Sequence, residues 1–170
     1  MPGKKSSHSA SMLTAGLMAV LTACGQSSIE TTLERYNDET VPYIYVEDLK
    51  ELSGPYLLLD TRKKKEFEVS HLSGATWSGY RAFDLTEFQL EVPSKETAII
   101  VYCSVGVRSE NIGEKLLEAG YTDVRNLYGG IFEWKNQGYP VYSPEGEPTE
   151  KVHAYNRRWG RLLKNAEKIY

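Results

Sequence analysis

The chain has 170 residues, enough for one ordinary domain and too few for two sizeable ones. Apolar residues make up 41% and charged residues 25%, a globular composition that excludes disorder and collagen-like structure. Twenty Lys and Arg stand against 23 Asp and Glu, net −3, which argues against a broadly basic nucleic-acid binder. Two cysteines, Cys24 and Cys103, are too few for a disulfide-stapled fold. With three histidines they leave no CxxC or HExxH metal cluster.

Residues 1–23 read as a targeting segment. Lys4 and Lys5 form a short positive region, and Ala10 to Ala23 is an uncharged run of small and apolar residues, too short to span a bilayer stably. It ends in Leu21-Thr22-Ala23-Cys24, which resembles the bacterial lipobox, where cleavage precedes a cysteine that carries diacylglycerol. The resemblance implies a lipidated Cys24 and attachment to the extracytoplasmic side of a bacterial membrane, each buried methylene adding ~0.8 kcal/mol. An ordinary signal peptide with an incidental cysteine is the alternative. Removal of 1–23 leaves a chain of net −5 in which Cys103 is the one thiol free of lipid. In an oxidising compartment that thiol has no partner for an intramolecular bridge.

Residues 24–39 (lipidated Cys and a polar stretch) predict a tether, partly helical around Ile29 to Tyr36. From residue 40 to 142 apolar runs alternate with helical patterns. Tyr43-Ile44-Tyr45 predicts a short strand, and Glu47 to Leu52 a helical turn or two. Tyr56 to Asp60, behind Gly54-Pro55, predicts a buried strand. Lys63 to Val69 predicts a short charged helix with Phe67 inward, and Thr97 to Tyr102 a second buried strand. Ser109 to Ala119 carries Ile112, Leu116 and Leu117 on one face and is closed by Gly120, a helix with its C-cap. Asp123 to Leu127 is a further strand and Gly130 to Asn136 a short helix with Ile131 and Trp134. Continuous apolar strands separated by helices predict an α/β fold whose mostly parallel sheet is covered on both faces. Residues 143–170 predict a linker and a C-terminal amphipathic helix, with Trp159, Leu162, Leu163, Ala166 and Ile169 at helical spacing. Its apolar stripe would pack on the domain; lying on anionic lipid is the alternative.

The second buried strand runs directly into Cys103-Ser104-Val105-Gly106-Val107-Arg108, and a helix follows. A thiol at the carboxyl end of a parallel strand stands in the usual binding crevice of such sheets. Inward backbone N–H groups of Ser104, Val105, Gly106 and Val107, the helix N-terminus and the Arg108 charge all favour thiolate over thiol. The pattern points to a nucleophilic cysteine; a buried structural cysteine is the alternative.

Asp60-Thr61-Arg62 with Glu66-Phe67, then Ser70-His71-Leu72-Ser73-Gly74-Ala75, then the Cys103 loop, then Leu127-Tyr128-Gly129-Gly130 with Trp134, together resemble the motif series of single-domain rhodaneses. Ser70 and Ser73 depart from the family's usual Gly and Pro in the second motif. The resemblance covers about residues 40–142 and implies the rhodanese-like three-layer fold and sulfurtransfer, without cofactor or metal. Cys103 would take a sulfane sulfur from a donor anion such as thiosulfate and pass it to a thiol or cyanide-like acceptor. Arg108 would bind the donor, and the loop amides would hold the persulfide. The six residues from Cys103 to Arg108 differ from the longer C-x5-R loop of related phosphatases and arsenate reductases, and so favour sulfur over phosphate. A sulfur-sensing or partner-binding module built on the same pocket is the competing reading. Asp60 and Arg62 are expected as an ion pair tying strand to loop, His71 as a turn-stabilising residue rather than a base, and Phe132 and Trp134 as core.

Overall fold

Strands β1 (Tyr43–Ile44), β2 (Leu57–Asp60), β3 (Thr76–Trp77), β4 (Ile99–Tyr102) and β5 (Val124–Leu127) form one sheet in the order β1-β5-β4-β2-β3, with every neighbour parallel. The computed structural model describes residues 28–170; the expected targeting segment 1–23 and Cys24 lie outside the described residues. Successive residues of the central strands feed opposite cores, as the pleat requires. Leu58, Ile100 and Tyr102 belong to one, and Leu59, Ile99 and Val101 to the other. Helices α1 (Ile29–Tyr36), α2 (Val46–Glu51) and α6 (Gly130–Asn136) cover the first face, and α4 (Leu85–Glu91) and α5 (Val107–Glu118) the second. The short α3 (Lys64–Phe67) follows β2. This is the three-layer α/β architecture expected from the alternation.

Helix α5 shows how local sequence sets an element. Ile112 and Leu116, four residues apart, are both fully buried, each burial contributing about 1.5–3 kcal/mol. The helix begins at Val107, two residues before the predicted start, because Gly106 takes the left-handed conformation (φ +114°) and turns the loop into it at once. It ends where Gly120, at φ +92°, lets the Tyr121 N–H reach back to the Leu116 carbonyl at 3.1 Å. Strand β3 and helix α4 were not anticipated. The first has two residues, and the second is capped by Asp84, whose side chain accepts from the Thr86 and Glu87 N–H groups.

The two flanks depart from expectation. From residue 28 onward the predicted tether is part of the fold: Ser28 caps α1, and Ile29 and Leu33 bury in the first core. The predicted C-terminal helix does not form. Trp159–Arg161 makes a single 3-10 turn, and β9 (Glu167–Ile169) pairs in parallel with β8 (Lys151–His153). Strands β6 (Val141–Tyr142) and β7 (Pro148–Thr149) form a small antiparallel ladder before it. The physical reason is tertiary: Glu167 to Ile169 take their backbone partners from β8, and Leu162 and Leu163 pack into the first core, which overrides the local helical spacing. The Asn136 side chain also donates to the Leu162 carbonyl and accepts from the Lys164 N–H, leading the chain off a helical path after the 3-10 turn. With the helix goes the reading of a helix lying on lipid. Among the described residues no helix is long and apolar enough to cross a membrane.

Candidate active site

Cys103 follows β4 at the carboxyl end of the central strand. The loop after it is shaped from behind by the start of α6. Ile131 and Phe132 donate their N–H groups to the carbonyls of Cys103 and Ser104, each at 3.0 Å. That approach needs the Gly129-Gly130 pair, both at positive φ (+71° and +53°), because a Cβ on Gly130 would collide with the Cys103 carbonyl oxygen. With the Cys103 and Ser104 carbonyls engaged there, Gly106 N–H donates to Cys103 Sγ at 3.1 Å. The Gly106 carbonyl is held in turn by the side-chain amides of Asn126 (2.8 Å) and Asn37 (3.2 Å).

Cys103 is 1% exposed. Burial by itself pushes the thiol up. The Arg108 charge and the N–H groups of Ser109, Gly106 and Val105 outweigh it, and the thiol lies below its ordinary value. The site therefore favours a thiolate, the nucleophilic form.

Arg108 is already partnered. Its Nη1 and Nη2 donate to the two carboxylate oxygens of Glu66 at 2.8 and 2.9 Å, and Nη2 also donates to Ser104 Oγ at 2.9 Å. Glu66, not Phe67, is the inward residue of α3, fully buried while Phe67 is half-buried. Burial raises the Glu66 carboxyl, but hydrogen bonds and charge from Arg108, with the Lys63 N–H, carry it below the usual carboxylate range. A bidentate fork of this kind fixes the guanidinium against the Cys103 loop.

Asp60 and Arg62 form a second, wholly buried ion pair at 2.6 Å, from which Arg62 Nη2 also donates to the Ser70 carbonyl at 2.6 Å. They join the end of β2 to the turn before His71. His71 stacks on Phe67 (centroids 4.0 Å apart), faces the Phe67 carbonyl through Nδ1 at 3.2 Å and bridges to Tyr142. It does not line the space around the sulfur. Phe132 is buried, whereas Trp134 is half-buried and donates Nε1–H to the Pro140 carbonyl.

A cavity of about 210 Å³ stands before the sulfur, bounded by the Cys103 loop, Arg108, Tyr155 and Trp159. Tyr155 adopts φ +63°, a conformation that non-glycine residues rarely take. It is held there by its N–H, which donates to His153 Nδ1 at 3.0 Å. The Arg108 guanidinium stands 5.1 Å from the Tyr155 ring, and Trp159 meets Tyr155 edge-on at 6.3 Å and Tyr36 of α1 at 5.9 Å.

The rhodanese-like domain family matches residues 45–137, more than half of the chain. The chain belongs to that family. Among its relatives, the adenylyltransferase and sulfurtransferase of Candida albicans is 27% identical over 139 residues, which are 79% of this chain and 31% of that protein. A sulfurtransferase of Allochromatium vinosum is 41% identical over 56 residues, 33% of this chain and 51% of that protein. The chain thus spans between about a third and a half of these relatives' length. The crystal structure of a thiosulfate sulfurtransferase from Pseudomonas aeruginosa shares the fold at TM-score 0.57 and 21% identity, over 70% of this chain and 22% of that one.

Within the rhodanese-like segment lie Cys103, its loop, Arg108, Glu66, Asp60, Arg62 and His71. Outside it lie Asn37 behind the loop and Tyr155 and Trp159 before it. Glu66 stands in the sequence only as part of the Glu66-Phe67 motif, in a charged helix whose expected inward residue is Phe67, and nothing local marks it as the partner of Arg108. Tyr155 and Trp159 carry no such signal in the sequence, where Trp159 falls on the stripe of the expected C-terminal helix and Tyr155 in the stretch before it.

Proposed function

We propose that this rhodanese-like domain is a sulfurtransferase that carries sulfur as a persulfide on Cys103. The observation that supports it most is the donation of Gly106 N–H to Cys103 Sγ within a six-residue loop whose Cys103, Ser104 and Gly106 carbonyls accept from groups behind it. In the first half-reaction the Cys103 thiolate attacks the outer sulfur of a donor such as thiosulfate. The new S–S bond forms as the donor's own S–S bond breaks, and sulfite leaves with that electron pair. The persulfide anion then occupies the position toward which the loop N–H groups and the α5 N-terminus point. In the second half-reaction a thiol or cyanide takes the outer sulfur and Cys103 returns to thiolate. Arg108, fixed by Glu66, supplies positive charge beside the cavity for the anionic donor and for the thiolate.

The test is a single turnover. Wild-type protein treated with thiosulfate should release one sulfite per Cys103, and cyanide added after removal of the donor should yield thiocyanate. Cys103→Ser should do neither. Sulfite release by Cys103→Ser at the wild-type level would end this reading.

The Leu21-Thr22-Ala23-Cys24 sequence supports a further part of the proposal, that Cys24 is lipidated and holds the domain on the extracytoplasmic face of a bacterial membrane. Because α1 begins at Ile29, at most ~14 Å of extended chain separates Cys24 from Ser28. The folded body would therefore sit close to the bilayer, although its eighteen basic and twenty-three acidic side chains make it net negative and anionic lipid repels it. Detergent should release the protein from membranes, high salt should not, and Cys24→Ala should lose acyl labelling. Protein recovered free with an unmodified Cys24 would contradict the anchor.

A further inference from the structure

Beside the Cys103 cavity runs a second, larger groove of about 420 Å³ that shares Arg108 and Tyr155 with it. Lys63, Lys64, Arg81 and Arg108 line it on a frame of Trp77 and Tyr155, and no carboxylate does. Lys63, Lys64 and Arg81 are exposed and form no ion pair among the described residues, so their charge is available to a ligand. Such a basic lining is unexpected in a body that carries five more acidic than basic side chains. The aromatic rings are tied to the same cations: Lys64 Nζ stands 4.8 Å from the Trp77 ring and Lys63 Nζ 5.5 Å from the Tyr155 ring. Arg62 also lines the groove and keeps Nη1 without an acceptor.

Tyr155 is the wall between the two spaces. Its backbone is held at positive φ by the His153 contact, and its ring lies against Arg108. A small inorganic donor needs only the space before Sγ. A molecule reaching over Tyr155 would have one end at the sulfur and the other among the lysines.

We infer that this groove is a subsite for the acceptor, and that the acceptor is a thiol carrying carboxylate or sulfonate groups at the end remote from its sulfur. The inference rests on the persulfide reading above. The acceptor sulfur bonds to the outer sulfur of the Cys103 persulfide anion and the Sγ–S bond breaks. Its electron pair returns to Cys103 as thiolate, and the thiol's proton leaves on the product hydropersulfide. The groove contributes attraction at the anionic end and aims the thiol at the cavity.

The experiment separates the half-reactions. Cys103 is loaded with thiosulfate, the donor is removed, and persulfide decay is followed with mercaptosuccinate, with 2-mercaptoethanol at equal thiolate concentration, and with cyanide. Wild-type protein should favour mercaptosuccinate, and added salt should erode that preference. Lys64→Glu and Arg81→Glu, both at exposed positions, should each lower it roughly tenfold, the Coulomb change for reversing one charge about 6 Å away in a water-like medium. Loading by thiosulfate and decay with cyanide should remain as in wild type. An unchanged preference in the double variant overturns the subsite. Binding of S-methylmercaptosuccinate to Cys103→Ser, read by calorimetry, supplies a measurement that needs no sulfur transfer. Binding that the double variant loses supports the groove even where wild-type Cys103 forms no persulfide, an outcome that would remove the transfer reading alone. No binding to Cys103→Ser would overturn the groove.

Discussion

The segment 45–137 and the flanks on either side of it contribute to the same site in different ways. The inner segment builds the reactive group: β4 leads into Cys103, α6 engages the Cys103 and Ser104 carbonyls, and Glu66 fixes Arg108. The flanks decide what surrounds it. Leu33 and Asn37 press on Gly106 from behind, and Tyr155 and Trp159 bound the cavity in front. Tyr36 and Trp159 meet at 5.9 Å, so the two flanks close on one another around the loop. The chemistry of the nucleophile belongs to the inner segment, while Tyr155 and Trp159 of the C-terminal flank close the cavity in front of it.

That contrast can be broken most strongly at Glu66. Glu66→Gln leaves Arg108 without its countercharge in a largely buried setting, and should cost about 3–5 kcal/mol of unfolding free energy. Denaturant unfolding measures it, and a loss below about 1 kcal/mol would mean that the pair contributes little. The pair also makes an acid signature. Because the Glu66 carboxyl is depressed, its contribution is complete above the ordinary carboxylate pKa and is lost as pH falls through the lowered value.

Leu163→Ala sharpens the comparison from the flank side. Leu163 is fully buried although it lies 26 residues beyond the family segment. Its truncation should cost about 2–4 kcal/mol, as for a core leucine. A peripheral tail would show almost no change in the denaturation midpoint.

Asn37→Ala should cost less, about 1–2 kcal/mol, through the lost hydrogen bonds to the Gly106 carbonyl and Tyr43. Asn126 still holds that carbonyl, so the alkylation rate of Cys103 at neutral pH should fall only modestly. An abolished rate would assign Asn37 to the reactive centre itself.

The smallest effect concerns His153. Burial, aided by Lys65 and Arg62, depresses its pKa against the pull of Glu66, and its Nδ1 must stay unprotonated to accept the Tyr155 N–H. Its contribution to stability is thus present above about 6.5 and lost as pH falls through the depressed value. Melting temperatures of wild type should decline between pH 7 and 5 more than those of His153→Gln. Parallel curves would contradict the arrangement.

How much of this was legible follows the same division. The central strands, α5 and the Cys103 loop were readable because each is specified locally, by an apolar run, a four-residue spacing or a glycine at a turn. The Asp60–Arg62 pair was also expected. Glu66 was hidden because a charged residue in a lysine-rich turn is ordinarily solvated; only the partner 42 positions away makes its burial possible. The C-terminal flank misled outright. Trp159, Leu162, Leu163 and Ala166 fall at helical spacing, yet contacts from Asn136 and the pairing of β9 with β8 override that local preference. Helix α1 was anticipated as a local feature, but its burial depends on the Cys103 loop and Trp159, neither of which is near it in sequence.

The most direct test of Cys103 as a sulfur carrier is to trap the intermediate. Protein treated with thiosulfate, freed of donor and alkylated should yield a Cys103 peptide heavier by one sulfur than the alkylated peptide from untreated protein. That extra sulfur should vanish when cyanide is added before alkylation. A Cys103 peptide without added sulfur, from protein that nevertheless turns thiosulfate and cyanide into thiocyanate, would contradict a persulfide on this residue.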